Sequence, residues 1–175
     1  MTGTSTFKKA ASIGVLLLSF FVAMGQAPDW MFALEGTYVG RYEVPDATGE
    51  LSTVDARWDG KRSGKEDGFV LQISRERAAV VEKEAQMWEW NNDLSVLDVM
   101  AIADGQRIST QWFAEESGMA VLLTRGGSAN GQAIIERMRI ERLPGQLRVQ
   151  LHHNSGDGNW GLQWRYVLDD YLEQD

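Results

Sequence analysis

The sequence predicts an all-β domain: a single antiparallel up-and-down meander of about ten strands, closed into a barrel and preceded by one short helical turn. Three observations carry that prediction. Apolar and polar residues alternate with a period of two along most of the chain. Gly, Asn and Asp cluster between the alternating runs, and only one short stretch has a helical pattern.

The N-terminal end has a different character. Lys8 and Lys9 precede an apolar run from Ala10 to Met24, and no acidic residue occurs before Asp29. A basic start, an apolar middle and small residues near a cut site form the secretory pattern. Ala23-Met24-Gly25 places the expected cut before Gln26, so 1–25 is assigned as signal peptide and 26–175 as one domain. The run is shorter than the roughly 18–20 residues that span a bilayer, and an uncleaved anchor is the competing assignment. A secreted or periplasmic location follows, with no stable membrane insertion after cleavage.

The elements follow in order. Asp29 is positioned to cap a single turn through Trp30–Leu34. Gly36–Val44 alternates Tyr38, Tyr42 and Val44 against Arg41 and Glu43, and Ser52–Trp58 alternates Val54, Ala56 and Trp58 against Asp55 and Arg57. Phe69, Leu71 and Ile73 form a third run. Val80–Trp90 and Leu94–Ala103 read as strands whose buried face the pattern leaves open. Gln106–Ala114, Met119–Arg125, Ala133–Leu143, Leu147–His153 and Trp160–Leu168 complete the series, the last grouping Leu162, Trp164, Tyr166 and Leu168 on one face. Asp59-Gly60, Asp67-Gly68, Asn91-Asn92-Asp93, Asp104-Gly105, Glu116-Ser117-Gly118, Gly126-Gly127, Pro144-Gly145 and Asp157-Gly158 read as turns. Gaps this short make neighbouring strands antiparallel, and closing the meander removes its edges.

Two barrels fit such a meander. An outer-membrane barrel turns apolar side chains to lipid; a soluble one turns them inward. Several runs fall below the roughly 9–11 residues of membrane strands, and the opposite faces are heavily charged, which favours the soluble form. The chain carries 17 Lys and Arg against 25 Asp and Glu, and both N-terminal lysines lie in the signal. The mature part is therefore strongly acidic, which argues against nucleic acid as a partner. There is no cysteine, which excludes disulfides, thiolate metal sites and Cys nucleophiles.

Leu34-Glu35-Gly36-Thr37-Tyr38-Val39-Gly40, placed after a helical turn at the head of the meander, resembles the start of calycin-type barrels: lipocalins, fatty-acid-binding proteins and their bacterial relatives. Lipocalins open with Gly-x-Trp, the ring packing at the closed end beneath a late Arg or Lys. The resemblance puts Tyr38 at the Trp position and makes Arg165 a possible partner. Ten strands are closer to the fatty-acid-binding or nitrobindin-like branch. Nitrobindin-like proteins hold haem through a late His in a helical or loop context not found here. The resemblance implies a cup for a small hydrophobic or amphipathic molecule, with no obligate cofactor and haem as the outside candidate.

Candidate site residues follow from the inward faces. Trp58, Trp112 and Trp164 fall on apolar faces and either wall a pocket or fill a small barrel. Arg75 and Arg125 continue the apolar runs Phe69–Ile73 and Met119–Leu123, where a guanidinium would meet a ligand carboxylate unless the strands have ended and the side chains are solvated. Glu136 is the expected partner of a buried Arg. With Tyr38 and Tyr42, these residues make up the expected binding set. His152 and His153 point to opposite faces, so they cannot both hold one metal; His153, which shares its face with Leu147, Val149 and Leu151, is the better candidate for haem or a metal, and no metal site is expected. The Gly126–Gly131 segment lacks the Lys-Ser/Thr of a phosphate loop and reads as a flexible hairpin. Glu82 and Glu84, or Asp169 and Asp170, are the paired carboxylates available to a hydrolase, and no nucleophile motif accompanies them. The expectation is thus a ligand-binding barrel; a packed barrel acting as an envelope-associated interaction module, or a hydrolase of unrecognised type, are the alternatives.

Overall fold

A computed structural model describes residues 27–171 except 65, 66, 78, 104, 130 and 157. The expected signal peptide lies outside the described residues. A short helix α1 (Asp29–Phe32) leads into ten strands: β1 (Gly36–Pro45), β2 (Leu51–Arg62), β3 (Gly68–Arg77), β4 (Val80–Asn91), β5 (Val96–Ala103), β6 (Gln106–Ser117), β7 (Ala120–Ala129), β8 (Gln132–Leu143), β9 (Gln146–Asn154) and β10 (Gly161–Asp170). Each pairs antiparallel with its neighbours in sequence, and β1 pairs β10 to close the barrel. The β6–β7 pairing is the short one in this ring, joining 113–117 to 120–124.

Directly opposed residues share a face, so the register assigns every inward position. Tyr38 opposes Trp58, Trp58 opposes Ile73, and Ile73 opposes Glu84. Trp88 opposes Val99, Leu97 opposes Trp112, and Leu123 opposes Met138. Met138 opposes Leu151, Val149 opposes Tyr166, and Tyr166 opposes Tyr42, which completes the ring. The apolar face points inward: Leu71, Leu97, Leu123, Leu147 and Leu168 are fully buried in one core cluster. Among the described residues no helix is long and apolar enough to cross a membrane.

Helix α1 plugs one end, with Met31 and Leu34 fully buried. Pro28 occupies its N-cap position and no side chain caps it, so Asp29 is the first helical residue rather than the cap expected from the sequence. At the plug, a Cβ on Gly60 would lie 2.5 Å from the Leu34 carbonyl oxygen and 2.6 Å from the Phe69 ring. That close approach explains the glycine, and Asp59-Gly60 is strand, not turn.

Other boundaries differ from the expected ones as well. Gly126-Gly127 lies within β7 rather than in a hairpin, and Glu116 and Ser117 extend β6. The real reversals sit at Gly118, Gly131 and Gly145, which adopt φ of +64°, +78° and +71°, a region open to glycine at little cost. Leu94 and Met119 belong to the preceding turns. A bulge between Leu162 and Trp164 shifts the register of β10. Leu162 therefore opposes His152 on the outer face, not the inner face that strict alternation assigned it.

Candidate functional site

The inward faces change from apolar to polar between the plugged end and the mouth, and a cavity of about 230 Å³ lies where they change. Trp58, Trp88, Trp112 and Trp164 contribute indole walls. Trp58 meets Trp88 and Tyr166 edge-on, with ring centroids 6.4 and 5.8 Å away. Ile108 lines the cavity and is half exposed, which marks the mouth.

A connected polar network crosses the cavity wall. Arg75 donates from Nη1 to the Tyr166 hydroxyl at 3.2 Å and from Nη2 to Glu84 Oε2 at 3.0 Å. Gln86 donates to Glu84 Oε1 at 2.6 Å, and Trp88 Nε1 donates to Gln86 Oε1 at 2.7 Å. On the other side Arg125 lies over the Trp112 ring at 4.4 Å and pairs with Glu136 through its Nε. Trp112 Nε1 donates to the Thr110 hydroxyl at 3.1 Å. The linear order explains the linkage: Glu84, Gln86 and Trp88 stand two residues apart on one face of β4, so each side chain reaches the next.

These contacts set the protonation states. Burial pushes the Tyr166 hydroxyl far above its ordinary value, against the pull of Arg75, and raises Tyr42 in the same way; both phenols stay neutral. Burial alone would lower the Arg75 pKa, but Tyr166, Glu84, Tyr42 and Glu82 outweigh it and raise it. The guanidinium stays charged.

Of the seven residues expected from the sequence, Trp58, Arg75, Trp112, Arg125 and Trp164 line this one cavity. Tyr42 stands behind it, under the Arg75 guanidinium at 5.1 Å and packed on Tyr166 at 4.7 Å. Tyr38 does not reach it. Its ring is buried near the plug and its hydroxyl donates to the Ala33 and Glu35 carbonyls at 3.3 and 3.2 Å. The cation over Tyr38 is Arg142 of β8, at 5.2 Å, which also bonds Asp170. Arg165 is not that partner: it sits on the outer face and pairs with Glu43, which is buried there. Glu136 is the partner of Arg125, as expected. Arg75 takes Glu84 instead, which the sequence did not assign to a face. Gln86, Thr110 and Tyr166 are site residues that sequence reasoning missed, and Glu84 entered it only as half of a carboxylate pair with Glu82. The signal for Glu84 and Gln86 was parity: Trp88 and Trp90 share their phase.

No family model matches this sequence, and no curated protein does. The crystal structure of Rv2717c from M. tuberculosis is similar, with a TM-score of 0.59 and 13% identity over 85% of this chain and 100% of that one. The likeness is one of fold. It makes this chain a closed ten-stranded antiparallel barrel with a solved neighbour of the same kind.

Proposed function

We propose that this chain is an exported, lipocalin-like member of the calycin barrels that binds a compact amphipathic molecule in its interior. The observation that carries the reading is the 230 Å³ cavity, walled by four indoles and crossed by a polar network. Ligand sites are mostly apolar with a few placed polar groups, and this one has that make-up. Export rests on the signal-like N-terminus, and the calycin assignment on Leu34–Gly40 together with the barrel.

Size restricts the occupant. At about 230 Å³ the cavity suits a single-ring or short-chain molecule rather than a long fatty acid or a retinoid. Haem is not the favoured occupant, since His153 is not among the residues that line the cavity. No step of this reading uses haem.

The test is intrinsic Trp emission and melting temperature against a panel of compact aromatic and short-chain compounds. Binding predicts a saturable emission change that Trp112→Ala abolishes. A broad panel that leaves both readouts untouched would favour a packed barrel serving as an envelope-associated interaction module. Turnover abolished by one Glu or Asp substitution would favour a hydrolase.

A further inference from the structure

Beside the cavity the barrel wall parts. β6 and β7 pair from the hairpin at Ser117 and Ala120 only as far as Phe113 and Thr124. Both strands run on past that point, β6 back to Gln106 and β7 on to Ala129. Each stays paired on its other side, β6 with β5 as far as Gln106 and β7 with β8 as far as Ala129. In continued register Trp112 would face Arg125 and Ile108 would face Ala129, yet none of the described residues along these stretches pairs across the seam. The two edges therefore carry backbone N–H and C=O groups with no strand partner.

Both banks of the seam line the cavity: Ile108, Thr110 and Trp112 on β6, and Arg125 on β7. Ile108 stands on the inward face, opposite Ala101, yet is 52% exposed. Water therefore reaches the inner face at this point. The β7 bank reads Gly126-Gly127-Ser128-Ala129, which lacks the bulk to fill a gap, and Gly126 has open space around it. At the base of the seam the Arg125 guanidinium lies over the Trp112 ring at 4.4 Å, while its Nε pairs with Glu136 of β8. The far wall is built differently. β1 stands across the ring from β6, and there Arg75 of β3 lies over the Tyr42 ring of β1 and bonds Glu84 of β4 and Tyr166 of β10. Side chains brace that wall from within.

We propose that the β6–β7 seam is the side entrance of the cavity. Within the interior-binding reading, on which this rests, a compact guest passes between 108–112 and 125–129, past the Arg125–Trp112 stack. Both banks are already extended strands. Closing them behind a guest asks only that they approach to the ~4.8 Å of paired neighbours.

The chain has no cysteine, so a staple can be added without side reactions. Ser109→Cys with Ser128→Cys places thiols on exposed positions of the two banks, outside the set that lines the cavity. Oxidation joins the seam and dithiothreitol reopens it. Where no disulfide forms, a bis-maleimidoethane bridge takes its place, with the unbridged double variant as reference. Two probes are used on the full-length chain. Acrylamide quenches indole emission by contact and need not bind; nitrobenzene is an uncharged single-ring guest whose binding is followed by stopped-flow Trp emission. Stapling is expected to abolish the share of acrylamide quenching that Trp112→Phe removes. It is also expected to slow nitrobenzene entry and exit by roughly ten-fold, with the dissociation constant little changed. Nitrobenzene rates that stapling leaves unchanged overturn the side entrance and leave the interior-binding reading standing. If nitrobenzene binds in neither state, that reading fails for single-ring guests, and the acrylamide comparison alone decides whether the seam admits small solutes. Amide hydrogen exchange of the unaltered chain needs no variant: seam-facing amides of 108–112 and 125–129 should exchange faster than those of 113–117 and 120–124, and uniform protection overturns the proposal.

Discussion

Arg75→Met tests the inward assignment of β4, on which the polar half of the barrel depends. The Arg75 and Glu84 side chains are 19% and 16% exposed, and Nη2 and Oε2 lie 3.0 Å apart. Methionine keeps most of the stem's packing but leaves Glu84 with Gln86 as its one remaining hydrogen-bond donor and Tyr166 without its donor. Breaking a fully buried pair costs about 3–5 kcal/mol, and a hydrogen bond to a charged group is worth about 1.5–3 kcal/mol. Since water still reaches part of both side chains, the expected loss is about 2–3 kcal/mol. For a domain of this size that lowers the melting temperature by roughly 5–10 °C. Urea titrations of Arg75→Met, Glu84→Gln and the double variant close a cycle, with an expected coupling of about 1–2 kcal/mol. Additivity within about 0.3 kcal/mol would refute the pairing. A one-residue slip of β4 would turn Lys83 inward, so the reasoning also fails if Lys83→Met destabilises as much as Arg75→Met.

Two further predictions concern the frame around the site. A Cβ on Gly40 would lie 2.2 Å from the Val167 carbonyl oxygen and 2.9 Å from the Leu168 Cα, both backbone. Gly40→Ala is therefore expected to cost about 2 kcal/mol or more in urea unfolding. Gly126→Ala, with nothing within 4 Å, is expected to be neutral or slightly stabilising. Equal melting temperatures for the two variants would contradict this close approach of β1 to β10. His152 titrates below its ordinary value because of burial first, then Arg137 and Arg139. Between about pH 6.5 and that lower folded value the unfolded chain holds more protons. Stability thus falls as pH drops through this window, and urea midpoints at pH 7.5 and 5 should differ less in His152→Gln.

Much of the frame was readable from period-two alternation, because a barrel with one wet and one dry face enforces it. Tyr38, Trp58, Leu71, Ile140 and Val149 all fall where their phase put them. The failures are local and physical. Leu162 was misplaced because a bulge adds a residue to the count, and a one-residue slip inverts a face. Gly60 looked like a turn because a sequence does not distinguish a glycine needed for a reversal from one needed for close approach, and Gly126, with open space around it, is needed for neither. β4 was opaque because both of its faces mix types: Glu82, Glu84 and Gln86 share one with Trp88 and Trp90, while Val81 and Met87 share the other with Lys83 and Glu89. Arg75 and Arg125 stood out because a cation continuing an apolar phase breaks the pattern. Their actual partners needed the register.

Four of the inward faces around the cavity pass from apolar to polar residues. β3 passes from Ile73 to Arg75, β4 from Trp88 through Gln86 to Glu84, β7 from Leu123 to Arg125, and β8 from Met138 to Glu136. Arg125 stands directly opposite Glu136, whereas on β3 and β4 the polar Gln86 and Glu84 stand opposite the apolar Leu71 and Ile73, and Arg75 reaches diagonally to Glu84. Stability alone does not ask for these polar groups. A buried ion pair is often no better than apolar side chains of the same volume, and an indole N–H left without a partner is a cost. Apolar residues at these positions would have packed the barrel shut. Sequences depart from local rules mainly where function is served, and here charged pairs break the inward pattern at both ends, Arg142 with Asp170 beside Tyr38 and Arg75 with Glu84 at the cavity. Apolar side chains pack the plugged end, and the polar groups around the cavity are the ones that the proposed ligand binding would use.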